Sequence, residues 1–281
     1  RKGWASCHGK PSRLSMARVL IAWELGEAFG HLARCLRLAE GLVARGHQVT
    51  LALKEVRLPT GQQLVPGISV LAAPRTPQTG PVDRSPINYA DVLRVSGFSD
   101  AQDVAARLNA WRGILNLTRP DVLVADHAPP ALLAARIADI AYLSVGNGFA
   151  IPPDVSPWPS IRPWEAIPDR ALSTAETLLD RVFDAALKAL GYPKTARGRE
   201  LFGAEDVLDT FVELDHYGVR TGGHYVEPSV AVRQAMRVEW QSREGSRVLA
   251  YLRPSVPGFS AILQAIARLD AEVLSVAPGM K

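Results

Sequence analysis

The sequence predicts an α/β protein built on a doubly wound parallel sheet. Short apolar runs alternate with segments of helical periodicity, which is the pattern of a parallel sheet wrapped by helices. The first run, residues 18–23, leads through a loop with two glycines into a helix, and a second run follows Gly46. The chain has 281 residues, of which 47% are hydrophobic and 21% charged, a balance typical of folded domains.

The elements of the first domain follow in order. Its predicted strands cover residues 18–23, 48–53, 69–72, 122–125 and 141–145. Its predicted helices cover residues 31–45, 88–95, 100–117, 130–138 and 170–190. Apolar residues recur at helical spacing in the first of these helices, at Leu32, Leu36, Ala39 and Val43. Gly46 follows as a C-terminal glycine should.

After residue 243 the pattern restarts. A strand is predicted over residues 247–252, a helix over 260–269 and a strand over 272–276, which is the opening of a second Rossmann-like domain. Residues 244–281 are too few to bury a core of their own, so we expect a truncated second domain. Residues 1–15 differ from the rest and Met16 directly precedes the first strand, so residues 1–15 are expected to be a leader and residues 16–243 the first domain.

Composition and motifs exclude several classes of protein. The net charge of +4 comes from scattered Lys and Arg, so a nucleic-acid partner is not expected. No apolar stretch approaches the ~18 residues of a membrane span. Two cysteines give no disulfide framework and suit a reducing, cytoplasmic location, with Cys35 as a buried hydrophobe. Metal-ligand spacing and the GxGxxG, P-loop and GxSxG motifs are absent from the sequence, which disfavours a metal, a nicotinamide cofactor and serine hydrolysis.

His31 is the first candidate for chemistry. It opens the helix after the first strand, at the mouth of the sheet where ligands of doubly wound folds bind. The positive end of a helix disfavours imidazolium, and a neutral imidazole is what a general base needs. The alternative is a histidine that caps the helix or packs against the loop.

Asp126 is the second candidate because it ends the fourth strand. In the strand order 3-2-1-4-5 the fourth strand lies beside the first, with the strand ends about 4.8 Å apart. His31 and Asp126 are therefore expected within hydrogen-bond reach, where a carboxylate orients an imidazole and stabilises its protonated form. The alternative role for Asp126 is to cap the following helix.

Other residues rank lower. His127 is adjacent to Asp126 but is expected to point elsewhere, and no helical pattern follows His224. The proline-rich segment 151–164 is either a wall of the binding site or a surface connection with aromatic plugs.

Four stretches in order resemble GT-B-fold glycosyltransferases of the UDP-glycosyltransferase and macrolide-glycosyltransferase-like superfamily. They are Gly30-His31 through RGHQVTLAL, RPDVLVAD, VGNGFAIPP and RVLAYLRP. The resemblance covers about residues 16–281. It implies a GT-B N-terminal Rossmann-like domain that binds the acceptor, followed by the start of a domain that binds a nucleotide sugar.

The resemblance also implies roles. His31 removes a proton from an acceptor hydroxyl, Asp126 orients it, and the oxygen attacks a nucleotide sugar with inversion, without a metal or a resident cofactor. Gly30 and Phe149 are expected beside the acceptor. Two features depart from the family: Glu27, Ala28 and Phe29 stand where relatives carry more glycines, and the chain stops before the donor-binding segment, so we expect a fragment inactive alone. The alternatives are a non-catalytic binding or accessory protein, and a nucleotide-sugar epimerase, on the same fold.

Overall fold

Seven parallel strands form one sheet in the larger of two compact units, residues Arg1–Ala231. The computed structural model describes residues 16–26, 29–58, 63–75, 85–193, 196–203, 205–228, 239–241 and 245–277. The strands are β1 (Arg18–Trp23), β2 (Gln48–Leu53), β3 (Ile68–Ala72), β4 (Val122–Asp126), β5 (Ala141–Gly146), β6 (Val207–Asp209) and β7 (His224–Val226). Their spatial order is β3-β2-β1-β4-β5-β6-β7, so the predicted doubly wound α/β class is confirmed.

Within the described ranges, five α-helices flank this sheet. They are α1 (Phe29–Val43), α2 (Tyr89–Leu93), α3 (Ala101–Thr118), α4 (Pro129–Ile137) and α5 (Asp169–Ala189). The helix predicted over residues 88–95 is shorter than expected: Asn88 caps α2, and the chain continues through a π-helical turn, Arg94–Phe98. Gly97 in that turn has a φ of 92°, which an α-helix does not accept.

Two apolar clusters hold the helices against opposite faces of the sheet. On one face, α1 packs against β1, β2 and β4 through Leu32, Cys35, Leu36 and Ala39, all of them buried. On the other face, α3, α4 and α5 cover the sheet through a larger cluster that includes Trp111, Leu133 and Phe183. Burial of one such large side chain contributes about 1.5–3 kcal/mol. The predicted burial of Cys35 is confirmed, as its side chain is fully inside.

The register of β1 against β4 sets the position of the candidate residues. Trp23, the last residue of β1, pairs with Asp126, the last residue of β4. Helix α1 begins a few residues after β1 ends, so its first turn stands over the same carboxyl edge. This topology brings together residues 31 and 126, which are 95 positions apart in the sequence.

The smaller compact unit, residues Val232–Lys281, contains a βαβ unit. Parallel strands β8 (Ser246–Tyr251) and β9 (Ala271–Val276) are joined by α6 (Phe259–Ile266). The predicted leader, residues 1–15, and the predicted boundary after residue 243 both lie outside the described residues. In the part of the chain that the structure describes, no helix combines the length and apolarity needed to cross a membrane.

Candidate functional site

His31 and Asp126 form a hydrogen-bonded pair at the carboxyl edge of the sheet. His31 Nδ1 lies 2.8 Å from Asp126 Oδ1. An ionised carboxylate only accepts hydrogen bonds, so Nδ1 is the donor, and in the neutral form of the imidazole Nε2 keeps its lone pair. The Asp126 side chain is fully buried, while that of His31 is 20% exposed. A buried acceptor behind a partly open imidazole is the arrangement of a base that can reach a ligand.

Asp126 does not cap the helix that follows it. The residue at the N-terminus of α4 is Ala128, and no side chain accepts a hydrogen bond there. Instead, the second carboxylate oxygen of Asp126 accepts from Arg34 Nη1 at 2.8 Å. The capping alternative is therefore wrong, because both oxygens are used within the charged cluster.

Arg34 joins Asp126 to a second carboxylate. Its Nε lies 2.5 Å from Asp209 Oδ2, at the end of β6, and Arg37 Nη2 lies 4.0 Å from the same oxygen. Burial opposes the charge of Arg34, but the two carboxylates outweigh it and raise the pKa of its guanidinium. The cluster therefore holds two arginines and two aspartates behind the imidazole.

Two aromatic rings flank His31. The Trp23 indole stacks on the imidazole with centroids 5.6 Å apart, and the His127 ring lies 5.9 Å away on a tilt. Burial lowers the pKa of His127 to about 3, and the neighbouring His31 adds to the effect, so His127 is neutral at physiological pH. His127 is thus a neutral ring beside His31, whereas its position next to Asp126 in the sequence had indicated that it points elsewhere.

Phe149 is separated from His31 by two rings. The buried Tyr89 lies 6.0 Å from His127 and 6.2 Å from Phe149, measured between centroids. Phe149 also meets His216 edge-on at 5.2 Å. Phe149 therefore belongs to an aromatic row that leads away from the imidazole and continues through His216, and its place beside the acceptor stays a prediction.

The proline-rich segment 151–164 places one tryptophan in the core and exposes another. Trp158 is buried against Tyr89 with ring centroids 5.7 Å apart, while Trp164 is 75% exposed. The backbone N–H of Trp158 donates to Glu176 on α5. The interpretation as an aromatic plug thus holds for Trp158, and the segment's role as a wall of the binding site stays a prediction.

A buried ion pair fixes the turn that carries Phe149. Arg220 donates to both oxygens of Asp215, at 2.8 and 2.9 Å, and its remaining N–H groups reach the carbonyls of Ile151 and Gly148 at 2.5 and 3.0 Å. Tyr225 donates its hydroxyl proton to Asp215 at 2.7 Å. A Cβ on Gly148 would clash with the Asp215 carboxylate, so only glycine fits there.

Gly26 lies directly against the free nitrogen of His31. A Cβ at this position would be 2.4 Å from His31 Nε2, and the φ of +85° also favours glycine. Lys54 Nζ donates to the Gly26 carbonyl at 2.8 Å and holds the loop in place. Gly30 is exposed and a Cβ there meets nothing within 4 Å, so it leaves open space at the start of α1.

We expect Gly26→Ala to disable the site. The new methyl group must push the imidazole away from Asp126 or occupy the space in front of Nε2, and a misplacement of about 1 Å can lower a rate about 10²-fold. Gly46→Ala is the matched control, because Gly46 has a φ of +86° and open space around it. Both variants carry the same backbone strain, about 1–2 kcal/mol. Only Gly26→Ala should lower kcat for the reaction proposed below; equal rates in the two variants would contradict the contact.

Glu24 is a buried carboxyl immediately after β1. Trp111 Nε1 donates to Oε2 at 3.0 Å, and Oε1 has no hydrogen-bond partner. Burial raises the pKa of Glu24 to about 8, although the Arg107 charge and the Trp111 hydrogen bond oppose this. At neutral pH the side chain is therefore mainly protonated.

Because Glu24 is protonated in the folded protein, we expect the free energy of unfolding to fall as the pH is raised and this group ionises. A carboxyl with a raised pKa in the folded state binds its proton more tightly there, so stability falls between the unfolded value of 4.5 and the folded value of about 8. The full shift corresponds to about 5 kcal/mol. Glu24→Gln cannot ionise at this position. Its free energy of unfolding, measured with urea from pH 5 to pH 9, should therefore rise relative to that of the parent as the pH increases. The exposed Glu213→Gln should not; a parallel response in both variants would contradict the assignment.

The described residues hold no group of three or more His, Cys, Asp or Glu side chains placed to bind a metal. A cavity of about 290 Å³ lies at the opposite edge of the sheet, between α3, α4 and residues 190 and 192. The candidate site is thus defined by charge and geometry at the carboxyl edge.

Sequence reasoning identified the pair but missed its supports. Arg34 follows His31 by three residues, so the shared helix face was a usable signal. Glu24, an acid directly after an apolar strand, was another. Asp209 ends a three-residue strand that has too few positions to display a period.

No protein-family profile matches the sequence, and no curated protein matches it significantly. The structure, however, is similar to solved glycosyltransferases. It matches the glycotransferase of kitacinnamycin at 19% identity and a TM-score of 0.58 over 95% of this chain and 68% of that one. It matches SnogD from Streptomyces nogalater at 16% identity and a TM-score of 0.56 over 93% and 67%. It matches CalG4, the calicheamicin glycosyltransferase, at 15% identity and a TM-score of 0.59 over 95% of this chain and 66% of that one.

These similarities confirm the fold that the sequence resemblance implied. The chain spans about two thirds of the length of these neighbours. At identities of 15–19% the likeness establishes architecture, while activity and ligands are matters for the proposal that follows.

Proposed function

We propose that this chain is the acceptor-binding part of a glycosyltransferase in which His31 is the general base. The observation that carries the proposal is the 2.8 Å contact between His31 Nδ1 and the buried carboxylate of Asp126, on an imidazole whose side chain is 20% exposed. A base needs a lone pair within reach of the ligand and a fixed tautomer, and this pair supplies both.

The proposed step moves one proton and exchanges one bond. Nε2 takes the proton of an acceptor hydroxyl as its oxygen attacks the anomeric carbon of a nucleotide sugar. The bond from that carbon to the diphosphate breaks and its electron pair leaves with the nucleoside diphosphate. Attack opposite the leaving group inverts the anomeric centre. The positive charge formed on His31 faces the Asp126 carboxylate, which stabilises it.

The structural neighbours support the ligand classes. SsfS6 and SpnG were solved complexed with thymidine diphosphate, and SpnG with spinosyn aglycone. By analogy, we assign a nucleoside diphosphate sugar as donor and a small hydroxyl-bearing aglycone as acceptor.

The test is sugar transfer by the natural full-length protein. Thymidine and uridine diphosphate sugars are paired with polyketide and macrolide aglycones, and products are detected by mass spectrometry. The coupling constant of the anomeric proton in the product reports inversion. Acceptor binding without transfer in any combination would favour the alternative of a non-catalytic binding protein.

A further inference from the structure

One face of α1 carries three basic side chains toward two strand ends. His31, Arg34 and Arg37 recur every three residues along α1. Arg34 lies between Asp126, at the end of β4, and Asp209, at the end of β6. The Arg34 side chain is 16% exposed and those of Asp126 and Asp209 are 0% and 10% exposed. This line of alternating charges was not part of the pair predicted from the sequence.

We propose that Arg34 is a positioning residue: it holds Asp126 as an ionised acceptor and thereby keeps His31 Nε2 free of a proton. The meaning of this role for catalysis rests on the proposed function. The role itself is a property of the folded chain and can be measured without any substrate.

The Asp126 carboxylate is fully buried. A fully buried carboxylate with one hydrogen-bond partner is strongly destabilised, and it relieves this by binding a proton. Arg34 supplies the second partner through a charge-assisted hydrogen bond of 2.8 Å. Without Arg34, the His31–Asp126 pair should hold an additional proton at neutral pH.

That additional proton reaches Nε2 in either arrangement. If it stays on the imidazole, the ring is doubly protonated beside a carboxylate. If it moves to Asp126, the carboxyl group donates to Nδ1 and the ring carries its own proton on Nε2. Both arrangements block Nε2 as a base, so Arg34 controls the atom that is proposed to accept the proton.

Asp209 has the opposite effect to Arg34 on the protonation of the His31–Asp126 pair. It shares the positive charge of Arg34, since Nε donates to it at 2.5 Å. When the Asp209 charge is removed, the positive charge of Arg34 acts more strongly on Asp126. The proton on Nε2 should then be released more easily. Among the described residues, the other titratable or charged groups around the pair are Arg37 and Cys35 on α1, His127 after β4 and Lys54 after β2.

These neighbours do not replace Arg34. His127 is neutral, and burial together with the Asp126 charge raises the pKa of the Cys35 thiol, so it stays protonated. Lys54 donates to the Gly26 carbonyl. Arg37 approaches Asp209 at 4.0 Å and makes no described contact with Asp126.

The experiment follows the His31 imidazole by NMR in the ¹⁵N-labelled 281-residue chain. The Nε2 resonance is assigned by its loss in His31→Gln and titrated, because its ¹⁵N shift reports directly whether Nε2 carries a proton. Arg34→Met should move the pH at which Nε2 loses its proton upward by about one pH unit or more, because the carboxylate of the pair loses the positive charge that lies 2.8 Å from it. Asp209→Asn should move it downward.

Arg37→Met is the matched control and should change the titration least, since it removes an equal charge without touching Asp126. Arg34→Lys keeps the charge without the forked donor and should restore part of the parent behaviour. If Arg34→Met does not fold, the opposite displacements expected of Asp209→Asn and Arg34→Lys carry the test. An unchanged Nε2 titration in Arg34→Met, or equal displacements in Arg34→Met and Arg37→Met, would overturn the inference.

Sugar transfer separates this inference from the proposed function. In the natural full-length protein, Arg34→Met should lower kcat by about tenfold at neutral pH with little change in KM, because substrate contacts are intact. Raising the pH should recover part of the loss. If the NMR titration moves but transfer does not, the positioning role stands and the assignment of His31 as base fails.

Discussion

Replacement of His31 by alanine should lower kcat for sugar transfer by about 10²–10⁴-fold, the usual contribution of a positioned general base. The variant removes Nε2 and leaves the acceptor hydroxyl with water as its proton acceptor. KM should change much less, because the imidazole acts on the proton as it moves and not on the bound ligand. The measurement is a comparison of steady-state rates in the natural full-length protein.

The matched control for this prediction is His224→Ala. His224 is an exposed histidine that begins β7 and has no described contact with the charged cluster. Its removal should leave transfer near the parent rate. An undiminished rate in His31→Ala would exclude the proposed mechanism, whatever the behaviour of the control.

The second large effect concerns stability. Asp215→Ala should lower the free energy of unfolding by about 3–5 kcal/mol, because it leaves a buried guanidinium without its counter-charge. Arg220 is 12% exposed and Asp215 fully buried, and the carbonyls of Ile151 and Gly148 cannot neutralise the remaining charge. Urea unfolding of the chain followed by circular dichroism measures the loss.

Two further variants should lose less free energy of unfolding and serve as comparisons. Tyr225→Phe removes one hydrogen bond to Asp215 and should cost about 1–3 kcal/mol, since the acceptor is charged. Asp121→Ala breaks a pair with Arg18 of similar geometry, but both side chains are nearly half exposed, so solvent screens the interaction and the loss should be much smaller. Equal losses in Asp215→Ala and Asp121→Ala would contradict the account.

Acid should weaken the same contact. Burial opposes ionisation of Asp215, but the hydrogen bonds from Arg220 and Tyr225 outweigh it and lower the pKa of the carboxyl group below 3.8. A lowered pKa contributes stability that is present above the unfolded value and is lost as pH falls through the folded value. The difference between Asp215→Ala and the parent should therefore narrow as urea unfolding is repeated at lower pH.

The central strands were predictable from the sequence for a physical reason. Strands β1, β2 and β4 are buried on both faces, so their apolar runs are nearly continuous, and Gly46 and Pro120 bound them clearly. Strands β6 and β7 have three residues each and lie toward the far edge of the sheet. So short a run is consistent with a strand, a turn or a loop, and only the pairing of β6 with β5 and of β7 with β6 decides.

The same difference separates the candidate residues. His31 and Asp126 were predictable because both follow apolar strands, and strand order places them side by side. Asp209 depends on β6 and could not be placed without it. Gly26 was visible as a loop glycine, but its approach to His31 Nε2 depends on a backbone turn that composition does not encode.

The environment of His31 is drawn from segments that are distant in the chain: the loop at Gly26, the first turns of α1, the end of β4 and the end of β6. A protein engineer who transplants only a histidine and an aspartate into another α/β scaffold would obtain the pair without the neighbours that fix its protons. The portable unit is the helix with both strand ends and the glycine loop, in this register. A designed scaffold should be chosen first for the spacing of its strand termini, and only then for its loops.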